Sequence, residues 1–344
     1  MNSKPSYYID PHVHMRDEEW AHKATMADVV AQGKKAGIGL FFDMPNLPRP
    51  VTTRERVQER INLAEKRGIS ENYRLYVGLT SDLEQIKKAV QIVKENKNVV
   101  GLKLFAGEST GNLAVENEAE QGRIYCALSD AGYTGVLAVH CEHPEIIKLH
   151  KHKFNSCEPW TWADARPAKA EYDSVKKQIE FAKNAGFKGR LQICHVSHAE
   201  TISLIRTALN DKARTFDIGF ELTPHHILRS TEHMKLMSVE DAKKHKCNPP
   251  IRDSANQKEL LDFLFNLSKN DGLYNRVYLA SDFAPHAAEE KSSENPPSGI
   301  ADFGLYGELE AEAKRRGLNE NQIADFMHHY RNQNIVDAFK EKLN

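Results

Sequence analysis

The sequence predicts an α/β architecture, a (β/α)8 barrel, on three observations. Eight short runs rich in β-branched and aromatic residues recur along the 344 residues. Longer stretches of amphipathic helical character separate them, and polar residues suited to metal binding close several of the runs. Strands joined through helices close into a barrel of the TIM type, whose functional groups sit at the carboxyl ends of the strands.

Each run is short enough for a buried strand. In order they are Tyr7 to Val13 (YYIDPHV), Ile38 to Asp43 (IGLFFD), Tyr73 to Leu79 (YRLYVGL) and Val99 to Phe105 (VVGLKLF). Gly135 to His140 (GVLAVH), Arg190 to His195 (RLQICH), Thr215 to Leu222 (TFDIGFEL) and Arg276 to Asp282 (RVYLASD) complete the set. Helical character fills Leu83 to Glu95, Ala168 to Asn184, His198 to Leu209 and Ser254 to Leu267. Several such segments stop at glycine, as at Lys35-Ala36-Gly37 and Ala185-Gly186. Two further helical segments, Leu305 to Arg316 and Glu320 to Leu343, are expected to pack on the barrel's outside or close its ends. The patch Asn295-Pro296-Pro297-Ser298-Gly299 reads as a loop. With no linker in view, residues 1–344 are expected to form a single barrel domain.

Composition narrows the function. Lys and Arg number 47 against 48 Asp and Glu, a formal charge of -1, which gives no nucleic-acid footprint and no polybasic membrane anchor. A small-molecule substrate is the expected partner. No run is apolar enough to span a bilayer, and the start Met1-Asn2-Ser3-Lys4-Pro5 lacks the apolar core of a secretory signal, so a cytoplasmic location is expected. Five cysteines with no C-x-x-C pair argue for reduced thiols rather than a disulfide framework or a zinc ribbon.

Candidate chemistry lies at the ends of the runs. In Asp10-Pro11-His12-Val13-His14-Met15-Arg16, the two-residue period of a strand sends His12 and His14 to one face, where both could grip one metal. Arg16 would stand beside that metal with a planar fork suited to a carboxylate. Asn46, Lys103, His140, His195 and Asp282 close or follow other runs and converge on the same barrel mouth. Four imidazoles and a carboxylate are too many ligands for one tetrahedral catalytic metal, yet they suit two metals sharing an anionic bridge. Lys103 points inward, where an ammonium beside two cations would be repelled. Carboxylation of its amine by carbon dioxide would supply the bridge.

These residues carry a resemblance to the dihydroorotases, in the cyclic amidase branch of the amidohydrolase superfamily. The likeness runs from Asp10 to about Gly299. It includes His-x-His-x-Arg at His12, the run from Asp43 to Thr53 (DMPNLPRPVTT), Gly101 to Phe105 (GLKLF), and His140-Cys141-Glu142. It continues through Ala165 to Glu171 (ARPAKAE), Ile193 to Ser197 (ICHVS), Thr223-Pro224-His225-His226, Cys247 to Arg252 (CNPPIR) and Ala280 to His286 (ASDFAPH).

The resemblance implies that His12, His14 and Asp282 hold a more buried zinc and His140 and His195 a more exposed one. Carboxylated Lys103 (N6-carboxylysine) and a hydroxide would bridge the two Zn2+ ions. It further implies that Arg16, Asn46 and His286 grip the substrate carboxylate and that Asn248 faces the pyrimidine ring. Ser109 and Thr110 would belong to a mobile segment closing over substrate. Asp282 would act as general acid and base in the reversible hydrolysis of (S)-dihydroorotate to N-carbamoyl-L-aspartate, a step of pyrimidine synthesis.

The chain starts almost at the first run, so the β-sandwich that flanks the barrel in many relatives is not expected. Length resembles the compact bacterial form, whereas ICHVS and TPHH resemble the other branch. Cys194 and Glu221 are expected to be a buried structural thiol and an ordinary barrel acid rather than ligands of an extra metal. The resemblance admits a homodimer and an association with aspartate carbamoyltransferase. Alternatives are a hydantoinase or allantoinase on the same metal core, discriminated by the carboxylate grip, and an inactive scaffold, which the full ligand set disfavours.

Overall fold

In the computed structural model, which describes residues 7–108 and 112–343, eight parallel strands follow one another round a single sheet in sequence order. They are β1 (Tyr8–Val13), β2 (Ile38–Asp43), β3 (Tyr73–Gly78), β4 (Val99–Ala106), β5 (Val136–Cys141), β6 (Arg190–Ile193), β7 (Asp217–Leu222) and β8 (Val277–Leu279). Just past β8, a parallel bridge joins Val13 to Phe283, and the His14 amide donates to Phe283 O at 2.8 Å. These contacts bring the first and last strands together into a nearly closed barrel with helices around it.

Alternation along the strands separates two apolar regions. Outward residues such as Phe41, Val77, Leu137, Val139, Ile218 and Phe220 join the helices in the larger core. Inward residues Leu40, Phe42, Tyr76, Val136, Ala138 and Tyr278 fill the barrel floor. Higher in the barrel, Lys103, His140 and Glu221 replace apolar side chains, all at most 5% exposed. The site therefore begins where the apolar floor stops.

The helical segments expected at Leu83–Glu95 and Ala168–Asn184 form with those bounds. Three expectations need correction. Strands β6 and β8 end before His195 and Asp282, because both residues take positive φ, +34° and +48°, and leave the ladder. The segment from Glu320 to Leu343 is not one helix. It runs as an α-helix over Glu320–His328, a π-helical turn over His329–Gln333, and short helices at Asn334–Ala338 and Lys340–Leu343. The break comes at Phe339, whose ring enters the barrel floor and packs 5.1 Å from Phe42 and 6.2 Å from Tyr76 between centroids. Burying that ring outweighs continuing the helix. Ser109 and Thr110 lie outside the described residues. Among the described residues, no helix is long and apolar enough to cross a membrane.

Candidate metal centre

The strand ends bring together six side chains singled out in the sequence. His12 Nε2 and His14 Nε2 approach one oxygen of Asp282, at 3.2 and 3.0 Å. The three donor atoms lie close enough to share one ion. Across the mouth, His140 Nδ1 lies 3.1 Å from His195 Nε2, so these nitrogens can share a second. The ring centroids of His12 and His195 are 5.2 Å apart, which joins the two pairs. Lys103 is fully buried, with Nζ 2.9 Å from Cys194 Sγ and 4.9 Å from the centre of the Phe105 ring. No carboxylate lies within 4 Å of its amine among the described residues.

The outer partners decide which nitrogen each histidine offers. Glu221 takes His12 Nδ1 at 2.7 Å, which leaves Nε2 for an ion. Glu142 takes His140 Nε2 at 3.1 Å, which leaves Nδ1. A carboxylate behind a ligating imidazole fixes its tautomer and raises its basicity. Glu221 thus stands behind a candidate ligand, and buried Cys194 lies against Lys103 Nζ. His12, Cys194 and Glu221 also form a close group of potential ligands.

Electrostatics agree with this division. Burial pushes His14 down to about 4 and His195 well below its usual value, so both present neutral lone pairs. Burial also opposes charge on His12, yet Glu221 and Asp282 overcome it and lift the group to about 10. Positive charge is therefore favoured at the point where two carboxylates meet His12, and a divalent cation would supply it. The donor set of imidazoles and carboxylate fits zinc. The positive φ of His195 and Asp282 costs each about 1–3 kcal/mol, a strain commonly found where a side chain must be aimed for function.

Beside these residues is a cavity of about 760 Å³, lined by Arg16, Asn46, Trp162, Lys246, Asn248 and His286 as well as the histidines. Arg16 is 3% exposed, donates from Nε to Pro285 O at 3.2 Å and lies 3.4 Å from His286 Nε2. Among the described residues it has no carboxylate within 4 Å. Asn46 Oδ1 is buried without a partner among the described residues. Burial, with Arg16 and Lys23 nearby, holds His286 down to about 3. Asn248 Oδ1 accepts from Trp162 Nε1 at 2.9 Å and from Ser298 Oγ at 3.0 Å, which fixes its amide at the cavity wall.

Sequence reading gave no role to Glu142, Arg166 or Lys246. Glu142 is fully buried and held by Arg166, with Nη2 at 2.6 Å and Nε at 3.0 Å; Arg166 Nη1 reaches Glu108 at 2.7 Å. The available signal was position: Glu142 lies two residues after His140, and Arg166 lies inside the ARPAKAE motif. Replacing Glu142 by Gln is expected to weaken metal binding at the His140–His195 pair about 10–100-fold, read by chelator competition. Burial raises the Glu142 carboxyl, but Arg166 brings it down to about 2 from the usual 4.5. Its stabilising charge is therefore present above about pH 4.5 and is lost as pH falls toward 2. Acid unfolding of the Gln variant should lose this component across that window. A parent-like acid profile would contradict it.

No family model matches the chain. Curated relatives do, along most of its length. The dihydroorotase of Methanosphaera stadtmanae is 28% identical over 323 residues, covering 92% of this chain and 67% of that protein. The dihydroorotase of Methanosarcina mazei is 30% identical over 322 residues, covering 90% and 65%. The chain thus spans about two thirds of the length of these relatives. Among solved structures, the L-hydantoinase of Arthrobacter aurescens aligns with a TM-score of 0.77 at 20% identity, over 97% of this chain and 70% of that one. A dihydroorotase of Saccharomyces cerevisiae in complex with 5-fluoroorotic acid aligns with a TM-score of 0.73 at 18% identity, over 97% and 84%. The solved structures share the barrel fold, and the curated dihydroorotases share sequence with this chain along most of its length.

Proposed function

We propose that this protein is a zinc-dependent dihydroorotase, interconverting (S)-dihydroorotate and N-carbamoyl-L-aspartate in pyrimidine synthesis. The observation that carries the reading is Arg16, a buried guanidinium with no carboxylate partner among the described residues, in one cavity with His12, His14, His140, His195 and Asp282. That pairing matches a cyclic amide bearing a carboxylate that does not react.

His12, His14 and Asp282 would hold one zinc and His140 and His195 the other, with Lys103 as a carboxylated bridge. Bound there, the ions supply Lewis acidity that makes water nucleophilic near neutral pH and polarises an amide carbonyl. Arg16, Asn46 and His286 hold the carboxylate, which orients the ring amide toward the metal-side residues. Asn248 borders the ring. Asp282 accepts the proton of the attacking water and passes it to the departing ring nitrogen.

Ring closure consumes one proton and ring opening releases one, and Asp282 must start protonated for closure. Closure is therefore expected to gain on opening as pH falls. Initial rates in both directions across pH 6–9, on the order of the physiological range, test this; closure accelerating toward high pH would contradict the role of Asp282. The deciding assay measures zinc per chain and compares ring opening of dihydroorotate, hydantoin and allantoin. Turnover of dihydroorotate with two catalytic zinc ions supports the reading, and turnover of hydantoin alone overturns it.

A further inference from the structure

His225, His226 and Cys247 form another cluster, which shares none of the six residues at the barrel mouth and is joined in sequence to Asn248 of the cavity lining. All three are at most 2% exposed, and one ligand atom from each lies within 4.8 Å of the other two. His225 is the unusual member: among the described residues, neither ring nitrogen has a hydrogen-bond partner. A buried imidazole left unpaired is disfavoured unless something satisfies it. His226 Nε2 and Cys247 Sγ both point at one acceptor, Pro249 O, at 2.9 and 3.1 Å, and lie 3.9 Å from each other.

We propose that His225, His226 and Cys247, with the carbonyl oxygen of Pro249, form a structural zinc site. The edges of a zinc tetrahedron built from bonds of about 2.0–2.3 Å measure about 3.3–3.7 Å. The three separations among His226 Nε2, Cys247 Sγ and Pro249 O bracket that range, and His225, within 4.8 Å of the other two ligands, closes on the ion with a shift of at most about 1 Å. The ion takes the place of the two hydrogens now directed at Pro249 O and gives His225 the partner it lacks. Thr223 Oγ1, 2.7 Å from His226 Nδ1, is the outer partner that leaves Nε2 for the metal. Zinc binds two neutral imidazoles and one thiolate, and the Cys247 proton leaves to solvent. No electron is transferred. Burial otherwise holds that thiol up to about 12, so binding weakens as pH falls.

Placement suggests the purpose. Trp162 Nε1 donates to Cys247 O at 3.0 Å as well as to Asn248 Oδ1, so an ion on Cys247 would brace the segment carrying Asn248 from behind. The site is a third one, separate from the catalytic pair, and it stands whether or not the cavity opens dihydroorotate.

The test is metal counting on the full-length protein, loaded with zinc and desalted. Parent protein and Cys126→Ser, at an exposed cysteine outside both clusters, should retain one more zinc per chain than Cys247→Ser or His225→Gln. With cobalt substituted, Cys247→Ser should lose near-ultraviolet thiolate-to-metal absorption that Cys126→Ser keeps. A parent-like count and absorption in Cys247→Ser overturn the site, as does loss confined to Cys194→Ser. If neither ligand variant folds, zinc X-ray absorption on Cys194→Ser decides the matter: a zinc–sulfur shell near about 2.3 Å supports the site, and its absence overturns it.

Discussion

Replacing Lys103 by Ala is expected to lower kcat at least about 10³-fold, the scale on which losing a metal bridge acts on a two-metal reaction. Lys103 has no solvent exposure and no acid partner among the described residues, so an ordinary ion-pairing role is not open to it. Its nearest polar contact is the Cys194 thiol. Truncation would leave a cavity between the two proposed cation sites, and a small carboxylate such as propionate fits the missing charge and volume. Added propionate should therefore restore part of the activity in a saturable way. Lys103→Met, which keeps most of the volume, separates loss of the amine from loss of packing. A Met variant with parent kcat would remove Lys103 from the centre.

Arg16→Ala should lower kcat/KM for dihydroorotate about 10²–10³-fold, equivalent to roughly 3–4 kcal/mol, with zinc content unchanged. Arg60 holds the backbone in place, donating to Arg16 O at 3.1 Å, to Met15 O at 2.5 Å and to Asp43 at 2.7 Å. The substitution therefore removes the fork without releasing the segment that carries it. Arg16→Lys should recover little, because an ammonium cannot reproduce a two-point contact with a carboxylate. The same substitution should matter far less for hydantoin, which has no carboxylate to hold. Equal losses on both rings, or parent activity at low substrate, would place the anion grip elsewhere.

Much of the centre was legible because barrel topology converts sequence position into spatial position. A histidine closing GVLAVH and another closing RLQICH could be put at one mouth without coordinates, since strand ends share a face. The backbone at His195 and Asp282 was not legible, because positive φ at a non-glycine residue leaves no compositional trace. Glu142 and Glu221 were hidden for a different reason. Each acts on the far nitrogen of a ligand, and which nitrogen faces inward is decided by packing in three dimensions. The C-terminal segment misled because its helical periodicity is real up to His328, while what Phe339 gains on the barrel floor depends on strands far away in the sequence.

The plug formed by Phe339 also orders the life of the chain during synthesis. Its ring meets Phe42 from β2 and Tyr76 from β3, so a residue made long after those strands completes a floor whose other parts were made early. Until position 339 clears the ribosome, the nascent barrel has an apolar opening at the end opposite the candidate metal centre. Such a chain depends on late, long-range contacts, which slow folding and prolong the exposure of sticky surface. Ribosomes stalled shortly before that point should display a species that chaperones recognise, although every proposed ligand at the barrel mouth has already been synthesised.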